Sequence, residues 1–189
     1  MITRTSHLEK IYDRDPVSKA FIISISIDHY GDVFNYLDPA PFKRRDLDPE
    51  LREYLEACSG DIPLKYPVIL QFDSPVAIKD EETEEKVKAG LTTYFQFTTN
   101  AFKKDISSSY RKSFTYILTA FLLLGLSFYF HSFIPEESLF SLSAEGFYIG
   151  GWVFLWEAIA ILVFKNRELY LQYKRYRRLH AATVHFSYL

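Results

Sequence analysis

The chain is short of the residues that would make it easy to classify. Its 189 residues include one cysteine, Cys58, and the charges nearly cancel: 22 Lys+Arg against 24 Asp+Glu, a net charge of -2. A lone cysteine excludes an intramolecular disulfide framework and a multi-cysteine zinc site, and the charge balance excludes a generally basic nucleic-acid binder. There is no P-loop, GxGxxG, GxSxG, HExxH or Cys/His metal pattern, so no recognisable device activates a nucleophile or cradles a phosphate. Internal repeats and low-complexity linkers are missing too. The opening MITRTSHLEKIYDRDP has no apolar core, and no signal peptide is expected from it.

What is present is concentrated apolar sequence. The mean hydropathy of -0.07 would suit one ordinary soluble domain, but nearly all of the apolar excess lies in two runs. Residues 114–134 read FTYILTAFLLLGLSFYFHSFI, 21 residues free of Lys, Arg, Asp and Glu. As a helix this run reaches about 31 Å, one bilayer hydrocarbon core. Residues 146–164 read GFYIGGWVFLWEAIAILVF, with one charge, Glu157. That run reaches about 28 Å and is expected to be a second span.

The segment joining the runs, residues 135–145, carries Glu136, Glu137 and Glu145 and no base, whereas Lys103, Lys104, Arg111 and Lys112 precede the first run and Lys165, Arg167, Lys174, Arg175, Arg177 and Arg178 follow the second. The positive-inside rule then puts both termini in the cytoplasm and only a short loop outside.

Around the spans, period-two alternation of Ile23, Ile25 and Ile27 with Ser24 and Ser26 marks a strand, and Val68, Leu70 and Phe72 mark another over 66–72. Asp48-Pro49-Glu50 is an N-cap followed by proline at the first helical position, and Gly60 is expected to stop that helix after Cys58. Asp80-Glu81-Glu82 opens a longer helix, with Val87, Leu91, Tyr94, Phe95, Ala101, Phe102 and Ile106 at helical spacing, expected to run on toward the first span. Thr183 to Tyr188 alternates again, so the C-terminus is expected to return to the sheet as a strand. The expected fold is an α+β cytoplasmic domain on a two-helix transmembrane hairpin: residues 1–113, the span 114–134, the loop 135–145, the span 146–164, then a basic helix and strand over 165–189.

Two stretches carry a resemblance. Asp28, Asp32, Phe34-Asn35, Asp38-Pro39, Pro41-Phe42 and Arg45-Asp46-Leu47-Asp48 form the first; Glu145-Gly146, Ile149, Gly151-Trp152-Val153 and Trp156 form the second. Together they resemble an uncharacterised family of small bacterial two-span membrane proteins, over about residues 20 to 188, with Tyr94-Phe95 and Tyr176-Arg177-Arg178-Leu179 as further points of likeness. Where the family pattern continues W-R-P-x-E, this chain has Glu157 and Ala160, so a paired intramembrane Arg and Glu does not carry over. The resemblance implies the two-span topology, in the bacterial plasma membrane, and no known reaction.

Candidate functional residues follow from cost. Glu157 is an ionisable group about 10 Å inside a span, near the depth of Thr119 on the first span. Three readings stand: a protonated carboxyl bonded in the hairpin or across protomers, a pore-lining group, or a side chain snorkelling to the cytoplasmic interface. His131, about 25 Å from that face, is expected near the outer headgroups. Gly146-x-x-x-Gly150 with Gly151 offers a face for helix contact within the hairpin or between protomers. Lys165 to His180 has six Lys+Arg against one Glu with interleaved tyrosines, suited to anionic lipid headgroups and, secondarily, to phosphate-rich ligands.

Asp28, His29 and Asp32 are turn chemistry before they are a metal site, Arg44 and Arg45 with Asp46 and Asp48 a solvated loop, and Cys58 packed core. No cofactor or metal is expected. The function expected is a non-enzymatic membrane protein that self-associates, as a homo-oligomer, or binds a cytoplasmic partner. The alternative is an oligomeric channel or membrane-perturbing effector.

Overall fold

The computed structural model describes residues 8–133 and 141–188. These form two compact units, one made of Met1–Ala101 with Tyr173–Leu189 and the other of Phe102–Gln172. The elements, in order, are β1 (Phe21–Ser26), α1 (Pro49–Asp61), β2 (Val68–Ser74), α2 (Glu81–Phe133), α3 (Ser141–Ala160), a π-helical segment (Ile161–Lys165), α4 (Asn166–His180) and β3 (Thr183–Tyr188), with short 3-10 turns at Tyr30–Val33, Phe42–Arg44 and Val76–Ile78.

In the first unit the strands form one sheet in the order β1-β2-β3, and both pairings are parallel. Phe21 pairs with Val68 and Ile25 with Phe72; Ile69 pairs with Thr183 and Ser74 with Tyr188. The mixed helix-and-sheet character is as expected, and the C-terminal strand does join the sheet. Parallel neighbours cannot be joined by a tight turn, so each link is a crossover. The first crossover contains α1. The second is the whole chain between β2 and β3, both apolar runs included.

Alternation decides which residues enter the core. Phe21, Ile23 and Ile25 of β1 are buried and Ser24 and Ser26 exposed, while β2 buries Val68, Leu70, Phe72 and Ser74. Val87, Leu91 and Phe95, four residues apart on α2, are fully buried. Gly90 lies beside them because a Cβ there would stand 2.5 Å from the Phe42 carbonyl and 2.7 Å from the Phe34 ring. Phe34 and Phe42 stack 5.3 Å apart, so the 34–42 segment, part of the first resembling stretch, lies directly on α2.

Three boundaries differ from expectation. β2 begins at Val68, since Tyr66 closes a turn onto the Pro63 carbonyl. Helix α1 begins as foreseen, with the Asp48 carboxylate accepting from the Glu50 and Leu51 amides, but it runs through Gly60 to Asp61. Its end is held instead by Arg178, far along the chain, which bonds the Ser59 carbonyl in the last turn and the Ile62 and Pro63 carbonyls just past it. Finally α3 begins at Ser141, inside the expected loop 135–145, and residues 134–140 lie outside those described.

The second unit is built on small residues. Ser113, Ala120 and Ser127 on α2, and Ala144, Gly151 and Ala158 on α3, are all buried, each set at seven-residue spacing. That period keeps one face of each helix in contact over several turns. The Ser127 hydroxyl donates to the Ala144 carbonyl at 2.8 Å. A Cβ on Gly151 would lie 2.7 Å from Leu124 and 3.1 Å from the Ala120 carbonyl, which is why glycine stands there. Phe130 stacks on Phe147 at 5.6 Å, and Tyr116 meets Phe154 edge-on at 5.5 Å.

Large apolar side chains face away from this seam, among them Phe121, Phe128, Trp156 and Phe164. Two helices are long and apolar enough to cross a membrane, and only 17% of each apolar window is buried inside the chain.

Candidate functional site

The functional geometry begins with the carbonyls that α1 leaves at its C-terminal end. A helix end exposes acceptors that must be met by some donor. The Arg178 guanidinium meets one of them and the carbonyls that follow: Nη2 donates to the Ser59 carbonyl and, at 2.9 Å, to the Ser59 hydroxyl, and Nη1 donates to the Ile62 and Pro63 carbonyls at 3.0 Å each and to that of Tyr66 at 3.4 Å. One turn away, the Tyr176 hydroxyl donates to the Glu56 carboxylate. Burial first, and that bond next, raise the tyrosine pKa well above its ordinary value. Burial and the like charge of Arg175 pull Arg178 down to about 10, which leaves it charged at neutral pH.

These bonds hold the segment after α1 against the C-terminal end of α4. A cleft of about 460 Å³ opens there, lined by Leu64, Lys65, Lys174, Arg177, Arg178 and Ala181. Four of the six residues are cations and none is acidic. Lys65 lies over the Tyr66 ring at 4.8 Å and Arg177 over the Tyr173 ring at 5.7 Å. Among the described residues no carboxylate comes within 4.0 Å of either.

The six cations expected to contact lipid or anions therefore divide. Lys174, Arg177 and Arg178 line the cleft, but Arg178 is spent on backbone carbonyls and is not open to a lipid surface. Arg175 lies over α1 at Gly60, 3.6 Å from where a Cβ would be. Lys165 and Arg167, in the second unit, are exposed. Lys65 was not a candidate from sequence. It is a single lysine after a helix end, and only the docking of Arg178 onto that end brings it to the others.

Glu157 is exposed on α3, next to buried Ala158, and no hydrogen bond or ion pair reaches it from the described residues. Thr119 is half-buried, and its hydroxyl donates to the Thr115 carbonyl at 3.0 Å along its own helix. The glycine trio also divides: Gly151 is in the seam, a Cβ on Gly150 would lie 3.5 Å from Leu123, in ordinary contact, and Gly146 has open space where a Cβ would be. The contact is set by the 144-151-158 period rather than by Gly146-x-x-x-Gly150.

A second cleft, about 400 Å³, follows β1 and is lined by residues that include Asp32, Asp48, Glu50 and Tyr54. Two of its three carboxylates are already occupied with backbone. Asp32 accepts from the Asp28 and His29 amides at 3.1 and 2.7 Å, and Asp48 caps α1. Among the described residues no group of three or more His, Cys, Asp or Glu is placed to hold a metal ion. Arg45 donates to the Ala40 carbonyl at 2.9 Å and covers Phe42, and Cys58 is a buried free thiol.

The class defined here is a chain with a small parallel-sheet unit and two helices able to span a membrane. No protein-family model, curated protein or solved structure matches it.

Proposed function

We propose that the chain is an integral membrane protein anchored by a hairpin of two spans, with both termini in the cytoplasm, whose sheet-bearing unit binds a partner or a second copy of itself and catalyses no reaction. One observation carries this: the two apolar windows are 17% buried. The core helix of a soluble protein would be mostly covered, whereas these leave apolar surface of a kind water does not tolerate and a bilayer does. The charge difference between the outer flanks and the joining segment supports the orientation. The bacterial plasma membrane follows from the resemblance in sequence.

Alkaline carbonate extraction of cells tests the anchor. The chain should stay in the membrane pellet and be released only by detergent; recovery in the soluble fraction would overturn the proposal. The orientation is read from a cysteine-free C58S background with single cysteines at Tyr36 and Phe164 flanks, labelled from outside before and after permeabilisation. Protection until permeabilisation is expected.

A second reading is favoured by Glu157, a carboxylate exposed on a span and without a hydrogen-bond or ion-pair partner among the described residues. Such a group is costly in lipid and gains a partner if several hairpins assemble around it. In that reading the protein is an oligomeric channel. Mass measurement in nanodiscs followed by liposome flux decides it, because two spans alone enclose no pore and a monomer or dimer without flux eliminates conduction.

A further inference from the structure

The cleft between the end of α1 and the end of α4 has a charge pattern that its structural duties do not require. Cations at a helix C-terminus complement the macrodipole, but that effect is confined to the last turn. Arg177 and Arg178 fall in that turn. Lys174 lies a turn earlier, and Lys65 is on a different segment altogether. Arg178 is explained by the carbonyls it bonds and Arg177 by its place in the last turn; neither explains Lys65. In a chain with 24 acidic residues and a net charge of -2, a cleft with four cations and no acid in its lining is a local inversion of the average.

We infer that this cleft binds a phosphate-bearing anion. Lys65 and Arg177, brought to one cleft from different segments and resting on tyrosine rings rather than on carboxylates, supply charge-assisted donors to the phosphate oxygens. Arg178 acts as a positioning residue: it fixes the 62–66 segment to α4, so that Lys65 and Arg177 share the cleft before any ligand arrives. A volume of about 460 Å³ exceeds what one phosphate fills and has room for part of the group esterified to it, against Leu64 and Ala181. The phosphate is carried either by a soluble molecule or by a lipid headgroup. The inference rests on the reading of the sheet-bearing unit as a binding module, and it names the chemistry bound.

The test uses the full-length protein. Inorganic pyrophosphate is titrated calorimetrically into the protein in nanodiscs of phosphatidylcholine alone. In parallel, hydrogen exchange of residues 62–66 and 174–181 is compared between those discs and discs containing phosphatidic acid.

For a soluble source, pyrophosphate binds, Lys65→Ala and Arg177→Ala each weaken it about fivefold or more, and the double variant abolishes it. For a headgroup source, pyrophosphate is silent and the phosphatidic acid discs protect both segments in the wild type but not in the double variant. Lys10→Ala, an exposed cation outside the cleft, leaves either signal unchanged, and Lys65→Arg retains it. If neither probe distinguishes the wild type from the double variant, or if Lys10→Ala weakens binding as much as Lys65→Ala, the inference is wrong. Failure of the anchor proposal would appear separately, in carbonate extraction, and would leave the pyrophosphate titration interpretable.

Discussion

The Tyr188 hydroxyl donates to the Glu84 carboxylate, joining the last strand to the first turns of α2 across 104 residues of sequence. The same hydroxyl is 3.0 Å from that of Tyr30, which in turn accepts from the Asp80 amide. Strand β3, an edge strand that follows the whole crossover with its two long apolar helices, is thereby tied at its far end to the start of that crossover.

Replacing Tyr188 with Phe keeps the ring and removes the donor to Glu84, a residue that is 9% exposed. The expected loss is about 1–3 kcal/mol, the cost of leaving a buried acceptor unmet. Urea unfolding of the detergent-solubilised protein, followed by far-UV circular dichroism, should show a lower midpoint and faster amide exchange over 183–188. An unchanged midpoint would mean the bond carries no net stability.

The alkaline side has a definite sign. Burial, then the bond to Glu84, raise the Tyr188 pKa in the folded chain, and burial, then the bond to Glu56, raise that of Tyr176. Both favour the protonated hydroxyl. Their contribution is fully present below about pH 10, the value of a free tyrosine, and is lost only as pH rises through the higher folded values. Ultraviolet titration of tyrosinate should show a fraction that ionises only together with unfolding.

On the acid side, Asp38 is one of three carboxylates held below the usual range, with Asp15 and Asp80. The Asp46 amide, followed by the Ala40 amide, holds its carboxylate below the usual range, at 2.9 Å in each case. The stability this gives the 38–46 segment is present above about pH 4 and disappears as pH falls through the folded value. Amide exchange at Ala40 and Asp46 should accelerate there, and Asp38→Ala should bring the same acceleration at neutral pH.

Arg178 should be intolerant even of lysine. Methionine in its place leaves the carbonyls of Ser59, Ile62 and Pro63 without their donor, at about 2–4 kcal/mol. An ammonium is a single point and cannot span acceptors that a planar fork reaches together. Thermal unfolding should rank wild type above Arg178→Lys, and that above or equal to Arg178→Met. Arg167→Met, an exposed site, serves as the reference.

In the helical unit, Gly151→Val drives a side chain into Leu124 and the Ala120 carbonyl, whereas Gly146→Val enters open space. Overpacking costs about 1–3 kcal/mol or more where the neighbour is backbone. The first variant should lower the thermal midpoint of the purified protein and the second should not. Equal effects would contradict the seven-residue seam.

Much of this was legible beforehand because it is encoded locally. Alternation marked β1 and β3, the Asp48-Pro49 pair started α1, and the length of the two apolar runs marked the helices able to cross a membrane. A period of two or of 3.6, a capping side chain and a run length are all properties of neighbouring residues. The parallel order of the strands was not local, nor was the end of α1, which depends on an arginine more than a hundred residues away.

The candidate cleft divides along the same line. The cationic character of 165–180 and the positions of Lys174, Arg177 and Arg178 were determined by the sequence alone, as was the position of Glu157 within the second apolar run. Which cations share a cleft was decided only by tertiary structure. Arg178 and Arg177 are adjacent and chemically similar in sequence, yet one faces the carbonyl end of α1 and the other the cleft with Lys65. Likewise, Gly146 and Gly151 belong to one glycine-rich turn, and packing alone selected the second. A side chain's type sets what it can bind, but its role is set by the partner that the fold brings opposite, and that partner lies far off in the chain.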